Sequence, residues 1–302
     1  SLSLVTAHLF YEGCILTIST AQIQHVLQGV TIPPQPQVLV DIHMEQVMPT
    51  PDIHRVADLI SHDAGLSGSV LKVVNSKYFE RSNEIHSITQ ACRLLGLDRI
   101  IHIINGLSIK GEMTDETVVQ MTKFWDSATD VALCSALIAK RIGFFNPEIA
   151  YNLGLFRDCG IPLLMQKHAD YLQTLEKGYQ NETGRVIDIE NTVYRTNHAV
   201  VGYYIARSWH CPPLLCETIA EHHNASRIFN DSVFENYEPT KKTLLAVLKM
   251  AERVTEVHKT LGNTDVSHEW QQSSEALLNY VGLSSCDFEV LTDQIKEMGI
   301  CL

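Results

Sequence analysis

Arg157 and Asp158 stand side by side in GLFRDCG, residues 154–160, between an apolar run and a glycine. With histidine in place of Arg157 the pair would be a metal-binding dyad. The chain carries other groups of that kind: His198 in YRTNHAVVGYYIARSW, and the adjacent His222 and His223 at the end of LCETIAEHHN. Imidazole and carboxylate suit divalent cations. Helices that each lend one such side chain to a bundle interior build a metal site. A cation held there would lower the pKa of bound water and neutralise phosphate, which is the chemistry of hydrolysis. Arginine cannot ligate, because its guanidinium stays protonated and has no free lone pair. At about 4 Å it also repels a divalent cation by several kcal/mol, even at an effective dielectric near 20. Three readings stay open for these residues. They form a hydrogen-bonded buried network, an anion pocket around Arg157, His198 and His223, or a metal site with a reduced ligand set. Scattered histidines such as His43, His54, His62, His86 and His102 read as solvated or hydrogen-bonded side chains.

The elements that must position these groups are helical. TIPPQPQVL at 31–39 reads as an extended lead-in, because proline keeps its predecessor out of the helical region. Thr50-Pro51-Asp52 predicts a helix start, and Ile53, Val56, Ala57 and Ile60 then recur at helical spacing. Leu66, Val70, Leu71 and Val74 make a second apolar face, ended by Asn75-Ser76. Ile88, Ala91, Leu94 and Leu95 make a third, ended by Gly96, and Ile100 to Leu107 a fourth. Trp125 to Ile142 reads as a long helix with small residues for close packing. Helical periodicity continues through 147–158, 160–176, 185–209, 212–223, 240–260, 268–280 and 286–298. No run alternates with the period of strands, so the fold class is all-α. KGEMTDETVVQM, near 110–122, is the expected break between two helical halves.

Composition excludes several functions. Hydrophobic residues make up 45% and charged residues 19%, an ordinary globular balance, with a net charge of −12. That field repels phosphate backbones, and no basic patch offsets it, so a nucleic-acid polymer is not an expected partner. ACRLLGLDRIIHIING has the look of a helix-turn-helix, but its second helix offers Arg99 and His102 and then isoleucines, which suits core packing better than a DNA groove. Eight cysteines are scattered without a C-x-x-C, as in a reduced intracellular protein. No run approaches the ~20 apolar residues that cross a bilayer. A cytoplasmic protein with no membrane partner is the expectation.

PPQPQVL, ISHDAGLSGSVLKVVNSKYF, ITQACRLLGLDRI, FWDSATDVA, GLFRDCGIPLL, NHAVVGYYIARSW and IAEHHN resemble, in order, the motifs of HDOD domains. These are bacterial signalling modules related to the HD and HD-GYP phosphohydrolases. The resemblance implies a multi-helical HD-like bundle with an N-terminal helical subdomain. It divides the chain into an extension (1–21), the N-terminal helical half (22–115), the HD-like half (116–260) and a helical tail (261–302). It also implies a damaged metal site. The first histidine ligand of active relatives falls on Ser127, and their His-Asp dyad on Arg157 and Asp158. His198, His222 and His223 match retained positions, and the final aspartate falls on Glu252. The GYP stretch is absent; NASRIF follows the paired histidines. Arg157 then serves as the local cation, pairing with Asp158, Glu252 or another acid.

A non-enzymatic regulatory module follows as the leading expectation. It needs no cofactor, except a divalent metal at a residual site. Its partner would be a protein of a signalling pathway, a second copy of the chain, or a small nucleotide. The alternative is a metal-dependent phosphohydrolase acting on a nucleotide or phosphate ester. That enzyme would use Asp158, His198, His222, His223 and Glu252 without Ser127 and Arg157.

Overall fold

Asp52 opens the first strongly patterned helix, accepting a hydrogen bond from the His54 N–H. The cap is therefore Asp52 rather than Thr50, and Pro51 lies outside the helix. This arrangement belongs to a computed structural model, which describes residues 36–75, 85–97, 99–101, 104, 115–209 and 211–298. Among these residues every regular element is a helix.

The N-terminal half comprises α1 (Pro36–Gln46), α2 (Ile53–Ser61), α3 (Ala64–Val74) and α4 (Ile88–Leu95). The lead-in is shorter than expected: Pro36 begins α1, a position where its missing N–H is no loss. Residues 31–35 lie outside the described residues. Val56, Ala57, Ile60, Leu66, Val70, Leu71, Val74, Ile88, Ala91 and Leu95 are buried in one cluster, as their spacing requires. Ile100, Ile101 and Ile104 are buried with them, so these isoleucines of the helix-turn-helix look-alike are core; residues 98, 102, 103, 105 and 106 of that stretch lie outside the described residues. Gly96 ends α4 at φ 76°, a left-handed angle that favours glycine. Asn75 does more than end α3: its amide holds both the N–H and the C=O of Ile85 at 2.8 Å.

The second half is built on α5 (Asp115–Arg141). The helix starts inside the stretch expected to be a break, so 115–122 is helical; residues 110–114 lie outside the described residues. After it come α6 (Pro147–Phe156), α7 (Ile161–Lys167), α8 (Tyr171–Tyr179), α9 (Val186–Tyr194), α10 (His198–Ser208) and α11 (Pro213–Glu221). The 160–176 and 185–209 stretches each split in two. The second splits because Arg195 turns left-handed at φ 59°. A 3-10 turn, His222–Asn224, leads to α12 (Ala225–Asn230). The chain continues through α13 (Pro239–Val254), α14 (Val257–Thr260), α15 (His268–Val281) and α16 (Ser285–Glu297).

The halves are locked together. Thr129 Oγ1 donates to the His62 carbonyl (2.9 Å), Tyr151 to the Ser61 carbonyl (2.6 Å) and Asn152 to the His86 carbonyl (3.0 Å). Trp209 lies edge-on to Phe156, with centroids 5.2 Å apart, and covers Gly68 so closely that any Cβ there would strike the indole. The aromatic residues singled out in the sequence, Phe124, Trp125 and Trp209, are buried.

Candidate functional site: a buried histidine and charge cluster

Two glycines in GLFRDCG set the backbone of the site. A Cβ on Gly154 would meet Ala132 Cα at 2.7 Å, so α6 lies directly on α5. That contact brings Arg157, at the end of α6, beside Ser127 of α5. A Cβ on Gly160 would run into the carbonyl of His198, so the turn after Asp158 lies against the first residue of α10. Asn197 caps α10, its side chain accepting from the Val200 N–H at 3.0 Å.

Arg157 is fully buried. Nη2 reaches Ser127 Oγ at 2.7 Å and Asp158 Oδ2 at 3.1 Å, and Nη1 donates to the Gly154 carbonyl at 2.8 Å. Nε lies 3.3 Å from Glu252 Oε1 as an ion pair without hydrogen-bond alignment. The sequence left Asp158 and Glu252 as alternative partners; the guanidinium sits against both. An incoming anion would meet a charge already matched by two carboxylates.

Asp158 Oδ1 faces His198 Nε2 and His222 Nε2, each at 3.5 Å. His198 Nε2 lies 2.9 Å from His223 Nε2. The sequence could not choose between His222 and His223; both are buried in the cluster, His222 facing Asp158 and His223 facing His198. The other nitrogen of each ring is occupied. His198 Nδ1 is 2.6 Å from Glu190 Oε1, His222 Nδ1 is 2.7 Å from the Ile219 carbonyl, and His223 Nδ1 is 2.8 Å from Glu269 Oε1. An ionised carboxylate and a carbonyl only accept, so each Nδ1 carries the proton. In the neutral ring each Nε2 is then a bare lone pair.

Three residues were missed by sequence reasoning. Glu190 also accepts from the His198 backbone N–H (2.8 Å) and the Tyr171 hydroxyl (3.2 Å). Lys249 is buried between Glu252 (2.8 Å) and Glu269 (3.0 Å). Glu269 belongs to α15, in the stretch read as a tail. No spacing rule links it to His223. The nearest signal is a lysine at an otherwise apolar position of α13, which demands buried acids around it.

Charge follows contact. Burial alone would raise the Asp158 pKa, but Arg157, with His222 and His198, outweighs it and holds the carboxyl well below the usual range. Burial pulls His198 down, but Glu190 reverses this and leaves it raised. Burial, with His222 and the Lys249 ammonium close by, holds His223 well below an ordinary histidine. Lys249 overcomes its burial through Glu252 and Glu269 and is pushed up to about 12. One ligand atom from each of Asp158, His198, His222 and His223 lies within 4.8 Å of the other three, so these four could hold a cation. Ser127, Glu252 and Arg157 lie outside that set. A pocket lined by Tyr179, Lys249, Glu252 and Glu269 adjoins the cluster, with an interior of about 20 Å³, room for about one water. Among the described residues, no helix is long and apolar enough to cross a membrane.

Comparison with known proteins places this fold. The response regulator MmoQ of Methylococcus capsulatus has a similar fold, with a TM-score of 0.65 at 17% identity over 87% of this chain and 98% of its own. A virulence factor of Campylobacter jejuni is similar at a TM-score of 0.55 and 17% identity, covering 88% and 99%. An uncharacterized Treponema pallidum protein is 25% identical over 197 residues, 64% of this chain and 38% of its own length. YuxH of Bacillus subtilis, also uncharacterized, is 32% identical over 151 residues, 42% of this chain and 36% of its own. The chain thus spans less than two fifths of the length of these last two relatives. The HDOD domain pattern matches residues 32–225, which contain the Arg157–Asp158 pair and all three inward-facing histidines. With the helical fold and the ordered motifs in agreement, this chain belongs to the HDOD domain family.

Proposed function

We propose that this chain is a signal-transduction module that hydrolyses no substrate and acts in the cytoplasm by binding a protein of its pathway. The observation that carries the reading is Arg157. A fully buried guanidinium occupies the dyad position and is matched by Asp158 and Glu252. Hydrolysis also needs an opening for substrate, and the adjoining pocket has room for about one water. The fold shared with a protein named as a response regulator supports the reading by analogy. Small nucleotides fit less well, because the guanidinium that would clamp a phosphate already faces two carboxylates. A second copy of the chain remains a further candidate partner.

The test is an activity panel of nucleoside triphosphates, cyclic dinucleotides and an aryl phosphate ester, each with magnesium, manganese or zinc. The expected result is no turnover above that of an Asp158→Asn variant. Metal-dependent turnover that this variant abolishes would overturn the reading and put the phosphohydrolase in its place.

A further inference from the structure

We propose that the cleft between the α13–α14 junction, α15 and α16 binds a small aromatic carboxylic acid, with Arg253 holding the carboxylate and Trp270, Leu278 and Phe288 holding the ring. The cleft shares no residue with the buried cluster, and the proposal goes beyond the functional reading without depending on it.

Three observations carry it. The first is an uncommitted charge. Lys241, Lys249, Lys259 and Lys296 each lie within ion-pair distance of a carboxylate, and Lys242 lies over the rings of Phe229 and Tyr280. Arg253 completes the lysines and arginines of α13–α16, and it has neither an acid nor a ring as partner among the described residues. It is half-buried in the cleft wall, so part of its water is lost. The guanidinium fork matches a carboxylate with two parallel hydrogen bonds.

The second is shape. Trp270 and Phe288 have ring centroids 4.9 Å apart with 32° between their planes, and Leu278 and Phe288 are buried. Together they give the cleft an apolar floor on which a ring can stack. The interior is about 240 Å³, below the ~300–1,000 Å³ of sites that take drug-sized molecules. That suits one ring carrying one acid group and is too small for a dinucleotide.

The third is the charge of the mouth. Glu289, Asp293 and Lys296 line it and are exposed. Glu256, which turns the chain between α13 and α14 at φ 53°, faces Lys259 at 3.1 Å and Lys296 at 3.9 Å. Three acids and two cations thus line the cleft, and only Arg253 lacks a counter-charge. One negative charge fits there, and the acids oppose a second, so a carboxylate suits the cleft better than a phosphate dianion. The cleft also adjoins the buried cluster along the chain: Arg253 follows Glu252 and Trp270 follows Glu269, the two acids that hold Lys249.

The test titrates the 302-residue chain with phenylacetate, its uncharged analogue phenylacetamide, and phenyl phosphate, read by tryptophan fluorescence and calorimetry. Trp125 and Trp209 are buried, so a fluorescence shift reports Trp270. Expected is saturable phenylacetate binding with a Kd of about 1 mM or tighter, which about ten non-hydrogen atoms can supply. The amide and the phosphate should bind about 10-fold more weakly or worse. Arg253→Gln should weaken phenylacetate about 10- to 100-fold, the loss of a charge-assisted hydrogen bond, cost phenylacetamide far less, and leave the urea midpoint unchanged. Trp270→Leu should weaken both ligands by calorimetry; if that variant does not fold, the wild-type series and Arg253→Gln decide. No saturable phenylacetate binding by about 10 mM, binding that survives Arg253→Gln intact, or phenyl phosphate bound as tightly as phenylacetate would overturn the site.

Discussion

Replacing Arg157 with methionine in the metal-free protein removes a fully buried cation while keeping most of its volume. Breaking a buried ion pair from one side costs about 3–5 kcal/mol, mainly through the charge left behind. The structure says which charge that is. Glu252 keeps Lys249 at 2.8 Å. Asp158 keeps only His198 and His222, at 3.5 Å and without hydrogen-bond alignment. The penalty should therefore fall on Asp158. Arg157→Met is expected to destabilise by about 3–5 kcal/mol, a fall of roughly 5–8 °C in thermal midpoint for a chain of this size. Adding Asp158→Asn should restore at least half of that loss, whereas adding Glu252→Gln should restore little, because it strands Lys249 instead. Urea unfolding of the wild type, the three single variants and the two doubles measures both couplings. The reasoning fails if Arg157→Met costs less than about 1 kcal/mol, or if Glu252→Gln rescues as well as Asp158→Asn.

Gly160→Ala forces a methyl into the His198 carbonyl and should cost at least the ~1–3 kcal/mol of an overpacked core, read as a lower urea midpoint. Trp209→Ala removes the indole that covers Gly68 and meets Phe156, and should cost about 3–5 kcal/mol; Gly68→Ala should destabilise by pushing the same ring away. Asp158 has a folded pKa below its unfolded one, so its contribution is complete above the unfolded value of about 3.9 and is lost as pH falls through the folded value. Stability measured from pH 5 to pH 2.5 should therefore fall more steeply in the wild type than in Asp158→Asn.

What the sequence made legible was whatever depends on local periodicity. The apolar faces of α2, α3 and α4 could be read residue by residue because a helix buries every third or fourth position. Caps were legible in kind and slipped in place: Thr50 and Asp52 are both good capping residues, and only packing decides between them. The ordered motifs brought Ser127, Arg157, Asp158, the three histidines and Glu252 to one place. Glu190, Lys249 and Glu269 were not legible. Each is an ordinary helix residue in type, and its role exists only because tertiary packing turns it toward a histidine or another charge. The left-handed turn at Arg195 was hidden for the same reason: an arginine carries no signal for that conformation.

The contact of Glu269 with His223 also bears on how the chain is made. A ribosome delivers Ser127, Arg157, Asp158 and the histidines long before it delivers Glu269. Until α15 emerges, the His223 ring lacks its outer acceptor and Lys249 lacks one of its two acids. The family's own boundary at residue 225 therefore does not enclose the cluster: the acid that holds the outer face of His223 comes from α15, well beyond that boundary.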